Sequence, residues 1–305
     1  MNKFLFTFLL FQVTISYSQK SSLATIPFEL NEKGLMIIKL RINKTTVSNF
    51  VLDTGASVAV IDDDVANQLG LKIKTEKAKI TGANAINNQV KKTEGQEIII
   101  NQKVKLKKLE LYVSDLSHLG NINGIIGFDL FKEYISETIF GTKNIHFYKQ
   151  INSKNTIGYQ SIDFVESYCT PEVMVTFSLA NGTTFSGKAL FDTGNLKSPL
   201  IINAVFNEEN RLTEKLKADS LTTNRGVINT KAKYIATTID TLTFGDFTFS
   251  KIPTSISQSK EGVLAWKSYL GLLGLELISK FDFILDYRSK KIYFRQNDNF
   301  EKAFK

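Results

Sequence analysis

Most apolar stretches of this chain are short and alternate with polar residues, the pattern of strands rather than helices. Residues 35–42, 97–100 and 105–113 are β-branched or alternating, and 173–179, 185–191, 232–242 and 281–294 continue the pattern in the second half. Asn181-Gly182, between two of these runs, predicts a hairpin turn. Helix signals are few. Asp62-Asp63-Asp64 precede the apolar-periodic 65–69, and Gly70 follows, which predicts one short helix with an acidic N-terminal cap. A metal site at that acidic triplet is the weaker reading. The polar, weakly patterned 151–167 reads as a linker.

The N-terminus has a different pattern. Lys3 precedes a nearly unbroken apolar run of 12 residues, 4–15, and Ser16-Tyr17-Ser18 follows as a small-large-small site. This predicts a signal peptide over 1–18, cut after Ser18, and a secreted or periplasmic protein. The run is too short to span a bilayer. No later stretch has 18 consecutive apolar residues, so no membrane insertion of the mature chain is expected.

The chain repeats itself. Asp53-Thr54-Gly55 and Asp192-Thr193-Gly194 lie 139 positions apart, each after an apolar run (50–52 and 189–191). Residues 123–130, NGIIGFDL, are similar to 270–277, LGLLGLEL, at an offset of 147 that then holds to the end of each half. From Asp192 to Gly274 is 82 positions, against 74 from Asp53 to Gly127, so the second half carries eight extra residues between its motifs. Two related lobes follow, 19–150 and 168–305, joined by 151–167.

Composition narrows the chemistry. Apolar residues are 43% of the 305, enough for sizeable cores. A single cysteine, Cys169, excludes an intramolecular disulfide; with only His118 and His146 beside it, no metal site is expected. The net charge is +8, but the lysines are scattered singly or in pairs and read as a solvated surface, not a nucleic-acid groove. His118 reads as a loop residue, His146 as strand surface, and Cys169 and Trp266 as packing residues.

One Asp-Thr-Gly turn alone is ordinary. Two, related by a pseudo-twofold axis, would bring their carboxylates together. Carboxylates about 3 Å apart cannot both ionise, so they share a proton. The ionised partner can then take a proton from water while the protonated one donates to a carbonyl oxygen, which suits amide hydrolysis with no cofactor.

These residues resemble the bilobal aspartic proteases of the pepsin and retropepsin type, nearest to the bacterial retropepsin-like aspartyl proteases. The likeness covers roughly residues 30–150 and 165–297. It implies an all-β fold of two pseudo-twofold-related, barrel-like lobes with a central cleft and few short helices. It also implies Asp53 and Asp192 as the catalytic dyad, with Thr54, Gly55, Thr193 and Gly194 as loop support. Ile125-Ile126-Gly127 and Leu272-Leu273-Gly274 would pass beneath the two loops. A β-hairpin flap is implied around Thr81, Gly82 and Ala83, over a cleft that takes an extended peptide, in a monomer. The sequence departs from the pepsins at the residue after each turn, where Ala56 and Asn195 replace a hydroxyl residue, and in a flap without tyrosine. Three functions remain: an aspartic endopeptidase, a catalytically weak or inactive peptide-binding protein on the same bilobal scaffold, and, ranked last, a glycosidase, whose carboxylates would stand at least about 5 Å apart.

Overall fold

The computed structural model describes residues 22–45, 47–267 and 269–304; the leader expected over 1–18 lies outside them. The described chain is all-β with a few short helices, and three sheets organise it. One sheet, of ten strands, belongs to the first half; another, of eight, to the second; a third, of six, takes strands from both. No helix among the described residues is long and apolar enough to cross a membrane.

The two lobe sheets share one topology. In the first lobe the order runs from a hairpin, Ile73–Thr81 and Ile86–Thr93, through Tyr112–Ser114, Val60–Asp62 and Gly124–Ile126 to Val47–Leu52 and Met36–Ile42. In the second it runs from a hairpin, Ser220–Arg225 and Lys231–Phe244, through Phe247–Ser257, Leu200–Ile202 and Gly271–Leu273 to Thr184–Phe191 and Thr170–Ser178. Even the register repeats. Gly124, Ile125 and Ile126 lie parallel to Phe50, Val51 and Leu52, as Gly271, Leu272 and Leu273 lie parallel to Ala189, Leu190 and Phe191. These central strands are buried on both faces, which explains their continuous apolar runs. Thr170–Ser178 also pairs with Lys231–Phe244, closing part of the second sheet on itself.

The six-stranded sheet has the order Ala24–Pro27, Asn144–Tyr148, Ile135–Ile139, Phe281–Asp286, Lys291–Gln296, Gln160–Asp163. The 151–167 segment therefore contains structure: Gln160–Asp163 ends this sheet, and Val165–Ser167 begins the second-lobe sheet. Much of the chain's phenylalanine collects here. Phe191 meets Phe283 and Phe294 edge-on at ring centroids 5.2 and 5.7 Å apart, within the range where such pairs are favourable. Since Phe191 immediately precedes Asp192, this packing anchors the second Asp-Thr-Gly turn to the inter-lobe sheet.

The acidic triplet caps a helix, as its pattern predicts. Asp62 is the N-cap of Asp63–Gln68 and accepts from Val65 N–H at 3.3 Å; Gly70 follows at φ 59°, a conformation that favours glycine. The other carboxylate oxygen of Asp62 accepts from Leu116 N–H at 2.9 Å.

Candidate active site

Each Asp-Thr-Gly turn begins where a buried strand ends. Asp53 N–H donates to Ile126 O at 3.0 Å, and Asp192 N–H to Leu273 O at 3.1 Å, so each aspartate is hung from the strand that carries the later glycine motif. Inside each turn a glycine N–H donates to the aspartate: Gly55 to Asp53 Oδ1 at 2.7 Å and Gly194 to Asp192 Oδ1 at 2.9 Å. Gly127 and Gly274 then pass so close beneath that a Cβ on either would stand 2.1 Å from Asp53 O or 2.2 Å from Ser198 O. Phe128 N–H donates to Ala56 O at 2.9 Å, and Leu275 N–H to Asn195 O at 2.8 Å.

The two turns are locked by their threonines, both buried. Thr54 N–H donates to Thr193 Oγ1, and Thr193 N–H to Thr54 Oγ1, each at 3.0 Å. The hydroxyls donate onward across the lobe boundary, Thr54 to Phe191 O at 2.6 Å and Thr193 to Leu52 O at 3.1 Å. Four reciprocal bonds thus place one carboxyl against the other. A Cβ on Gly194 would meet Asp53 Oδ2 at 2.4 Å, and one on Gly55 would meet Asp192 Oδ1 at 2.6 Å. Each glycine leaves the space that the opposite carboxyl fills.

The Asp53 and Asp192 carboxyls are hydrogen-bonded to one another, and both hold their protons above the ordinary range. Burial is the main cause for Asp53, opposed by the N–H groups of Gly55, Gly194 and Ala56 and by the bond to Asp192. Asp192 is raised well above its usual value, by burial first, then by the Asp53 charge and their shared bond. Two crowded, desolvated carboxyls behave as one group that keeps a single proton. The side chains after the turns add no donor. Ala56 has none to give, and Asn195 spends its amide on its own loop, donating to Ser198 O at 3.3 Å and accepting from Lys197 N–H at 2.9 Å.

The pair sits in a cavity of about 480 Å³ between the lobes. The hairpin at Thr81, Gly82 and Ala83 roofs it, where the resemblance implies a flap. Its tip reaches the other lobe: Val263 N–H donates to Gly82 O at 3.1 Å and Leu264 N–H to Ala83 O at 2.9 Å. A second roof was not expected from the sequence. The hairpin of Ser220–Arg225 and Lys231–Phe244 lies at the corresponding end of its own sheet, and Asn224 and Arg225 at the end of its first strand, with Gly226 and Val227 of its turn, line the same cavity. The latching is reciprocal. The first tip rests on the 3-10 helix Val263–Ala265, and the second rests on the equivalent 3-10 helix Ser117–Leu119, where His118 Nε2 meets Gly226 O at 2.9 Å. The loop histidine of the sequence is thus a contact of the second hairpin. Tyr234, in the second hairpin, lines the cavity and donates its hydroxyl to Asn84 Oδ1 at 2.7 Å on the first tip. An aromatic hydroxyl meets the first flap after all, from the opposite lobe.

Two packing expectations change. Trp266 and Cys169 line the cavity, and Trp266 has Tyr168 and Tyr269 beside it at centroid distances of 4.7 and 5.9 Å. Burial pushes the Cys169 thiol up, so it is a poor nucleophile. His146 lies half-buried in its strand against Thr25 Oγ1, at 2.7 Å from Nδ1.

Comparison with known proteins agrees with this geometry. The model of a family described as aspartyl protease matches residues 38–130. No curated protein matches the sequence. Among solved structures, the aspartic proteinase from Irpex lacteus superposes with a TM-score of 0.58 over 92% of this chain and 98% of its own, at 11% identity. At that identity the likeness is one of fold.

Proposed function

We propose that this chain, a bilobal aspartic protease by fold and family likeness, is an exported peptidase that hydrolyses peptide bonds with a water activated between Asp53 and Asp192. The observation that carries the reading is the reciprocal Thr54–Thr193 lock, which sets two half-buried carboxyls, both holding their protons above the ordinary range, against one another on the cleft floor. A crowded like-charged pair costs folding free energy, and a lock of four hydrogen bonds that enforces it fits a catalytic purpose.

In the proposed reaction the ionised carboxylate takes a proton from the water as its oxygen attacks the scissile carbonyl carbon. The protonated carboxyl gives its proton to the carbonyl oxygen, forming a neutral tetrahedral diol. The amide nitrogen then takes a proton from the dyad, the C–N bond breaks, and one diol hydroxyl returns its proton as the new carboxylic acid forms. The single dyad proton is restored. The Gly55 and Gly194 N–H groups keep the carboxyls in place throughout. An extended peptide fits the space beneath the two hairpins, its side chains alternating between cavity walls. Signal-peptide removal after Ser18 would deliver the enzyme outside the cytoplasm, where it acts as a monomer on peptide or protein substrates.

Incubation with a diverse peptide mixture, with and without a statine-type inhibitor, tests this. Inhibitable cleavage is the expected result. Peptide binding with no cleavage at any pH would overturn it in favour of a peptide-binding protein on the same scaffold.

A further inference from the structure

Beside the main cleft lies a second cavity of about 370 Å³. The two adjoin at Gly194, Leu196, Asn224 and Arg225, which line both. The second cavity runs between the first lobe, at Lys33 and His118, and the second hairpin, at Arg225 and Lys231. Its lining contains two lysines, an arginine and a histidine, and no aspartate or glutamate. Elsewhere lysines are commonly matched: Lys74 and Lys92 with Glu110, Lys188 with Glu172, Lys291 with Asp163. Among the described residues, Lys33, Arg225 and Lys231 have no carboxylate partner. Lys33 Nζ donates to His118 O at 2.6 Å, and Arg225 Nη1 to Asn229 Oδ1 at 2.6 Å, both neutral acceptors.

We propose that this cavity is a carboxylate-binding subsite, so that the enzyme prefers substrates with an acidic group a few residues from the scissile bond. The proposal rests on the peptidase reading. Three cations converging from two lobes repel one another, and a carboxylate between them relieves that repulsion. The arginine can grip a carboxylate with two parallel N–H bonds, which gives direction as well as charge. The hairpin that brings Arg225 and Lys231 also roofs the dyad, so an acidic group held here draws that roof against the first lobe. The carboxylate can come from an Asp or Glu side chain or from the end of the peptide chain.

The test uses peptides whose scissile bond is replaced by an uncleavable methyleneamine, with both ends blocked. Each position across the cleft carries Asp, Asn or Lys in turn, and affinity is read by fluorescence anisotropy. At one position Asp should bind at least about fivefold tighter than Asn, and Lys more weakly, with the difference shrinking at high salt. Double replacement Arg225→Glu and Lys231→Glu should invert that order, and the milder Lys231→Gln should narrow it. A further series with a free C-terminal carboxylate separates chain-end recognition from side-chain recognition. Equal affinities for Asp, Asn and Lys at every position, or an unchanged preference after charge reversal, overturn the subsite. The same sequences with ordinary peptide bonds report separately on cleavage. A charge preference in binding without hydrolysis sinks the peptidase reading and leaves the subsite standing.

Discussion

Glu137 stands directly opposite Ile284 at the centre of the six-stranded sheet, and the two are equivalent positions of the repeat, 147 residues apart. On either side Ser136 faces Leu285 and Thr138 faces Phe283, and the same offset relates Ser136 to Phe283 and Thr138 to Leu285, so the two pairs exchange. A local twofold axis therefore passes between Glu137 and Ile284. The same exchange relates Thr54 to Thr193 and brings Asp53 to Asp192. The symmetry is one of backbone, and the side chains depart from it. Glu137 is buried and accepts from the hydroxyls of Tyr148 and Tyr159 at 2.6 and 2.7 Å, where its counterpart is a plain isoleucine.

Asp53→Asn and Asp192→Asn should each lower hydrolysis by about 10²–10⁴-fold or more, because one carboxyl alone cannot act as both acid and base. Kinetics on one good peptide would check this; undiminished turnover in either variant removes the dyad from the mechanism.

The same variants carry a stability signature. Both carboxyls have folded-state proton affinities raised above their unfolded values. Such groups contribute stability below the unfolded value, near pH 4, and lose it as pH rises through the folded value. Asp192→Asn should thus melt progressively higher than wild type as pH rises from 4 to neutrality. Melting curves that keep a constant separation across that range would contradict the shift.

Thr54→Ala and Thr193→Ala should each destabilise the protein by roughly 1–3 kcal/mol, since each leaves buried backbone groups of the opposite lobe without partners. Denaturant titration measures this. Serine at either position keeps the hydroxyl and should recover most of the loss.

The activity profile should be bell-shaped and centred in the weakly acidic to near-neutral range, because burial raises both carboxyls and no side-chain donor from Ala56 or Asn195 offsets it. Its limbs belong to the pair and not to either residue. Ala56→Ser adds a hydroxyl donor and should move the optimum toward acid. Rates from pH 2 to 8 would show it, and an optimum near pH 2 in the wild type would refute it.

Gly262→Ala should loosen the first hairpin. Gly262 has φ 79°, and a Cβ there would stand 2.5 Å from Gly82 O, at the latch between tip and opposite lobe. The expected reading is a KM raised by about threefold or more with a smaller change in kcat, as for a loss of substrate holding in the ground state. Unaltered KM would mean that the latch does not govern substrate retention.

The sequence was most legible where duplication marked it. The paired turns and glycine motifs are short, rigid and buried, so their spacing and apolar runs survive in both halves. The first strand of the second hairpin was not legible. Ser220–Arg225 is almost wholly exposed and polar, and it is a strand because Lys231–Ala236 pairs with it, not because of any alternation of its own. Gln160–Asp163 hid in the polar linker for the same reason: an edge strand has one pairing partner and little to bury. The geometry of Asn195 was equally out of reach, since only the folded loop shows that its amide is engaged with Ser198.

Ile135–Ile139 finds one neighbour in its own half and the other, Phe281–Asp286, in the second half. If the chain were divided between the lobes, each piece would be left with a raw sheet margin: open backbone donors and acceptors along a strand whose side chains are mostly buried. Such margins recruit whatever strand comes next, including copies of themselves. Carrying both lobes on one chain therefore keeps a partner at hand for each margin, and a nick in the linker would be harmless only while the shared sheet stayed closed.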